Sequence, residues 1–186
     1  MHRIMHILLI AAGLVFMALA VVFAVTATYQ ARTEMASELP LNCVEPMEVD
    51  LPAPIINLID LTGSTVELAD YDGDVVLINT WATWCPPCRR EMPDLEKFFS
   101  EHTEEGFTLL GVNVGEERET VVQFVNTFQL SFPIWLDPTK STSRALNSFS
   151  LPYSIVLDRE GTVRYAWSGS TCLSALENTI TPLLRQ

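Results

Sequence analysis

Cys85-Pro86-Pro87-Cys88 is the stretch of this chain whose residue types and spacing carry chemistry most directly. Two intervening residues at the start of a helix bring the second sulfur back within bonding distance of the first. The pair can then cycle between dithiol and disulfide, with Cys85 attacking a partner and Cys88 resolving the mixed disulfide. A cysteine in the first helical turn faces unpaired N–H groups and a positive dipole, which favour the thiolate. Pro86 suits that turn, because a missing N–H costs nothing there. Two other readings of the pair are a metal half-site and two inert thiols. Zinc needs two further ligands, and Cys43, Cys172, His2, His6 and His102 show no matching spacing. No metal and no cofactor is therefore assigned.

Glu91 lies three residues beyond Cys88 and shares its helix face, so its carboxylate can move protons to and from the thiols. Beside Arg89 and Arg90 the same residue also reads as a solvated surface acid. Asn79 is polar within an apolar run and cannot titrate, which leaves any proton handling to Glu91. It reads as a core hydrogen-bonder. Trp84, directly before Cys85, is an aromatic beside the thiols, in either a substrate-contact or a packing role.

The elements that must position these residues can be read from pattern. Val75–Trp81 and Phe107–Val114 are apolar runs with little alternation, as expected of strands covered on both faces. Cys88, Met92, Leu95 and Phe99 recur at helical spacing, and so do Val121, Phe124, Val125 and Phe128. Shorter strands are expected at 55–60, 65–68 and 133–137. A hairpin joins 153–158 to 162–167 through Arg159-Glu160-Gly161. A short helix is expected over 139–147, and a final one from Leu173, where Ser174 and Glu177 stand at capping-box spacing.

The stretch Val75–Pro93, VVLINTWATWCPPCRREMP, resembles the thioredoxin superfamily, and within it the TlpA/ResA-like membrane-anchored branch. The likeness extends through LADYDGDVVLIN, FTLLGVNVGEERETV, FPIWLD and DREGTVRYAWSG. It implies an α/β thioredoxin-like fold, with a mixed central sheet and helices on both faces. It also implies thiol-disulfide oxidoreductase activity outside the cytoplasm, with Cys85 the exposed attacking thiol, Cys88 the buried resolving one and an acid at Glu91. Pro152 matches the superfamily's cis-proline opposite the C-x-x-C, which would leave the Leu151 backbone free to pair with an extended substrate. The usual following residue is Thr, and Tyr153 stands there instead. Trp84, Leu151 and Pro152 are thus the expected substrate contacts. Cys43 and Cys172 fall outside the shared motifs. They either pair in an oxidising compartment, tying the amino-terminal tether to the last helix, or are unrelated thiols.

The chain has 186 residues, of which 48% are hydrophobic. The excess is concentrated in residues 7–25, which contain nothing more polar than Gly13. Nineteen residues at about 1.5 Å each span ~28 Å, close to a bilayer's hydrocarbon core. Residues 1–27 therefore read as one transmembrane anchor, or as a signal segment ending at the small residues of Val25-Thr26-Ala27. Residues 28–53, polar and proline-punctuated, read as a tether, and 54–186 as the thioredoxin-like domain. A six-residue amino-terminal tail most simply stays in the cytoplasm, placing the domain on the extracytoplasmic side of the cell membrane. Eleven basic against 23 acidic residues give a net charge of −12, which disfavours nucleic acid.

The expected partners are protein thiols or disulfides and a membrane electron donor. Within the resembled branch, such a reductant often serves cytochrome c maturation. A disulfide-forming oxidant would use the same residues, and a metal-binding thiol module is a third reading. Peroxide reduction fits less well, because its pattern wants Thr three residues before the cysteine and Ala82 stands there.

Overall fold

Seven consecutive buried residues make the strand Val75–Trp81 the middle of the structure. A strand covered on both faces can pair on both edges, and this one does. It runs parallel to Phe107–Val114 and antiparallel to Tyr153–Leu157. In chain order the strands are β1 Met47–Pro52, β2 Asn57–Asp60, β3 Thr65–Glu67, β4 Val75–Trp81, β5 Phe107–Val114, β6 Ile134–Asp137, β7 Tyr153–Leu157 and β8 Thr162–Ser168. The helices are α1 Pro86–His102, α2 Arg118–Phe128, α3 Ser141–Ala145 and α4 Leu173–Leu184. This computed structural model describes residues 43–186, together with Met17, Ala20 and Phe23.

All eight strands form one mixed sheet, ordered β1-β8-β7-β4-β5-β6-β2-β3. The crossovers β4–α1–β5 and β5–α2–β6 step in the same direction across it. Right-handed connections then put both helices on one face. The side chains agree: Val75, Leu77 and Trp81 share a cluster with Met92 and Leu95 of α1, Val121 and Phe124 of α2, and Leu176 and Ile180 of α4. The other face packs Val76, Ile78, Leu110 and Val112 against Ile56, Trp135 and Ile155. The short turn Leu68–Tyr71 and Leu146, just past α3, cover it. Helical cover is thus on both faces, and much heavier on one.

Strand β1 corrects the tether reading for residues 47–52, while 28–42 of that expected tether lie outside the described residues. Met47–Pro52 pairs antiparallel with β8, matching Met47 to Ala166 and Pro52 to Thr162. The strand sits at the sheet edge, exposes most of its residues, and shifts register between Glu48 and Leu51. Little apolar burial is needed to hold such an edge, so no alternation marks it. Its acidic Glu48 and Asp50 also blunt it against pairing with other chains. The chain joins the compact unit Asn42–Gln186 well before residue 54.

Among the described residues no helix is long and apolar enough to cross a membrane. The anchor expected over residues 7–25 lies outside the described residues, except for Met17, Ala20 and Phe23.

Candidate active site

Strand β4 ends at Trp81, and four residues later the chain enters α1. Cys85 is the N-cap of that helix, with extended backbone, and its Sγ accepts a hydrogen bond from the Cys88 N–H at 3.3 Å. Pro86 and Pro87 occupy the first two helical positions, so neither contributes an N–H. The two sulfurs are bonded as Cys85–Cys88. Cys85 is 2% exposed and Cys88 not at all, and both join the cluster that contains Trp81, Ala82 and Met92. The expectation of an exposed Cys85 is therefore corrected for the disulfide form. The asymmetry survives in small measure, with Cys85 marginally the more exposed.

The loop before Cys85 is held from both sides. Glu116 accepts hydrogen bonds from the Thr83 N–H at 2.6 Å and the Thr83 hydroxyl at 2.5 Å, and another from the Asn113 amide at 2.8 Å. Arg89 donates to the Thr83 carbonyl at 3.3 Å. Its guanidinium also lies over the Phe124 and Phe128 rings, 5.6 and 5.4 Å from their centroids. Glu116 carries no spacing signal linking it to Thr83, because it comes from the separate loop between β5 and α2.

Glu91 is fully buried. One carboxylate oxygen accepts from the Asn79 amide at 2.8 Å, the other from the Thr171 N–H at 2.9 Å. Burial pushes its pKa up to about 7, against the opposing pull of those two donors; Asp94 adds a smaller upward push. The surface-acid reading of Glu91 is thereby excluded. Asn79 also donates to the Ser154 hydroxyl at 2.9 Å, across the β4–β7 pairing. Its Oδ1 is buried with no partner, so the core hydrogen-bonding expected of it is half satisfied. Neither Ser154 nor Thr171 is visible as a site residue in sequence, since each reaches Glu91 or its neighbour only through the folded sheet.

The Leu151–Pro152 peptide is cis, and the Pro152 carbonyl accepts from the Gly169 N–H at 2.9 Å. Leu151 is half-buried against the cluster that holds the disulfide, whereas Tyr153 packs into the cluster on the other face. The unusual Tyr153 thus points to the sheet face opposite that cluster. Trp84 is 67% exposed, beside Cys85. Phe149, three residues before Pro152, is 70% exposed and has no motif to announce it. Cys43 and Cys172 form a second disulfide, which decides between the two readings left open by sequence.

The AhpC/TSA family model matches residues 49–166, which take in the strand–C-x-x-C–helix unit and both core crossovers. The chain belongs to that family. It is 37% identical over 125 residues to the thiol-disulfide oxidoreductase ResA of Geobacillus kaustophilus, a match spanning 67% of this chain and 72% of that protein. A thiol:disulfide interchange protein of the thioredoxin family from Chlorobium tepidum superposes with a TM-score of 0.66 at 27% identity. That superposition covers 74% of this chain and 99% of that one. A secreted thiol-disulfide isomerase from Corynebacterium glutamicum gives 0.71 at 26% identity, over 78% and 95%. The chain is a thioredoxin-like, ResA-like protein-disulfide oxidoreductase.

Proposed function

We propose that the protein is tethered to the cell membrane through residues 7–25 and reduces disulfides of exported proteins on the extracytoplasmic side. The observation that carries the direction is the helix start. A strongly oxidising pair owes its potential to a stabilised thiolate in the reduced form. Here Pro86 and Pro87 remove two N–H groups from the first turn, and among the described residues the Cys88 N–H is the donor that reaches the Cys85 sulfur. The Arg89 cation is engaged by two rings and a carbonyl. With so little holding the thiolate, the dithiol gives up its electrons readily. A potential near about −270 mV is expected in glutathione or dithiothreitol equilibria, and one near about −120 mV would make the protein an oxidant instead.

In the reducing cycle the Cys85 thiolate attacks a substrate disulfide, forming a mixed disulfide and releasing one substrate thiolate. Cys88 then attacks Cys85, closing the pair and freeing the second thiol. Glu91, with its pKa near 7, accepts the proton that Cys88 must lose. Trp84 and Leu151 offer apolar surface beside the C-x-x-C and Pro152, and Phe149 is exposed three residues before that proline. Extracytoplasmic placement is supported by the apolar segment and by two disulfides in one chain, which suit an oxidising compartment. Apocytochrome c thiols fit as substrates, because they must be reduced before haem attachment, and a membrane dithiol protein fits as electron donor.

Cys88→Ser should accumulate mixed disulfides through Cys85 in extracytoplasmic extract, while Cys85→Ser accumulates none. Mass spectrometry of the adducts reads both the linkage and the partner. An extract that yields no Cys85-linked partner would refute the assignment of these substrates.

A further inference from the structure

Residues 169–173 join β8 to α4 and contact the site at every second backbone N–H. Gly169 donates to the Pro152 carbonyl at 2.9 Å, Thr171 to Glu91 at 2.9 Å, and Leu173 to Asp94 at 3.3 Å. The intervening residues face the other way and hold the amino-terminal strap. The Ser170 carbonyl accepts from the Val44 N–H at 2.9 Å, and Cys172 is bonded to Cys43. Gly169 has φ of +108°, and a side chain there would meet the Val44 methyl group at 2.9 Å. Strap and segment are thus in close contact, with a covalent bond at one end. Ser170 and Thr171 are buried, whereas Cys43 and Cys172 are each half-buried and within reach of a small reductant.

We propose that the Cys43–Cys172 disulfide is a positioning bond for the redox site: closed, it seats residues 169–173 over Glu91 and against the Pro152 loop. Without it the segment keeps its single backbone hydrogen bonds and the packing of Leu173 but loses its covalent tie to the strap, and water reaches the Glu91 carboxylate. The groups facing Glu91 are few. They are Asp94 on its own helix, the Asn79 amide from β4, and the Thr171 N–H from the segment. Unseating the segment removes both burial and one N–H donor, which act in opposite directions. Burial is the larger effect, so the carboxyl shifts towards the ordinary carboxylate range.

This inference rests on Glu91 being part of the redox site, but its test does not need Glu91 to act in catalysis. The Glu91 side-chain carboxyl is followed by 13C NMR against pH in the oxidised wild type and in Cys43→Ser/Cys172→Ser. The expected midpoint is near 7 in the wild type and at least one pH unit lower in the variant, a tenfold or larger change in proton affinity. An unchanged midpoint would overturn the proposal, even if the variant melts earlier. Should that variant fail to fold, the bond can be opened after folding. In Cys85→Ser/Cys88→Ser the remaining disulfide is Cys43–Cys172. Dithiothreitol reduces it to two thiols while closing to its own cyclic disulfide, and the same downward shift is expected on addition. Separately, if Glu91→Gln leaves the pH dependence of disulfide exchange untouched, the proton-carrier role fails while the positioning role stands or falls on the NMR midpoints.

Discussion

Opening Cys43–Cys172 should cost the folded domain up to about 5 kcal/mol, whereas opening Cys85–Cys88 should cost about 2 kcal/mol or less. The contrast follows from loop length. The first bond joins residues 129 apart in sequence, nearly the whole described domain, and the second joins residues 3 apart. A cross-link restricts the unfolded chain in proportion to the logarithm of the loop it closes, so the long loop loses far more freedom. Residual structure in the unfolded chain trims both figures but leaves their order. Urea unfolding of Cys43→Ser/Cys172→Ser and of Cys85→Ser/Cys88→Ser, each against wild type, measures the two costs. Equal losses would show that loop closure is not what separates the bonds. The division suits the function: a redox pair that cycles in use must open without endangering the fold, and a bond that closes most of the domain must not.

Much of the fold could be read from periodicity. β4 and β5 fall at the residues their apolar runs predict, because a strand buried on both faces needs no partner to declare itself. The helix after the C-x-x-C follows from the spacing of Cys88, Met92 and Leu95, all of which are buried. β1 escaped because an exposed edge strand has no buried face to pattern its residues. In the site, local spacing carried what lay within one helix: Cys85, Cys88 and Glu91 are three residues apart in turn. Where it stopped was the long-range contacts. Thr171 lies 80 residues from Glu91 and Glu116 lies 33 from Thr83, and each contact exists only once the crossovers have folded. Exposure was misjudged for the same reason. The burial of Cys85 rests on neighbours from several elements.

Glu91→Gln should change the pH dependence of both stability and exchange. In the folded protein the Glu91 carboxyl keeps its proton up to about pH 7, while in the unfolded chain it loses it near 4.5. Below pH 4.5 both states are protonated and the group is neutral in its effect. Between 4.5 and 7 the unfolded chain releases the proton and the folded one retains it, so wild-type stability falls as pH rises, and it levels off above 7. A shift of this size corresponds to about 3 kcal/mol. Glutamine does not titrate, so the variant lacks this decline. Its stability relative to wild type should rise by about 3 kcal/mol between pH 4 and pH 8. Comparing the two pH values cancels any fixed penalty from placing an amide NH2 opposite the Asn79 and Thr171 donors. Denaturant midpoints for both proteins at pH 4, 6 and 8 supply the numbers, and parallel curves would mean that Glu91 titrates normally. The same substitution should slow exchange at pH 7 by about 100-fold, because the group that takes the Cys88 proton is gone. The wild type therefore holds a buried acid that costs it stability at neutral pH, three residues beyond the resolving cysteine on the same helix. A purely structural residue there would not titrate, so the domain would lack the decline in stability between pH 4.5 and 7 and the redox pair would be slower.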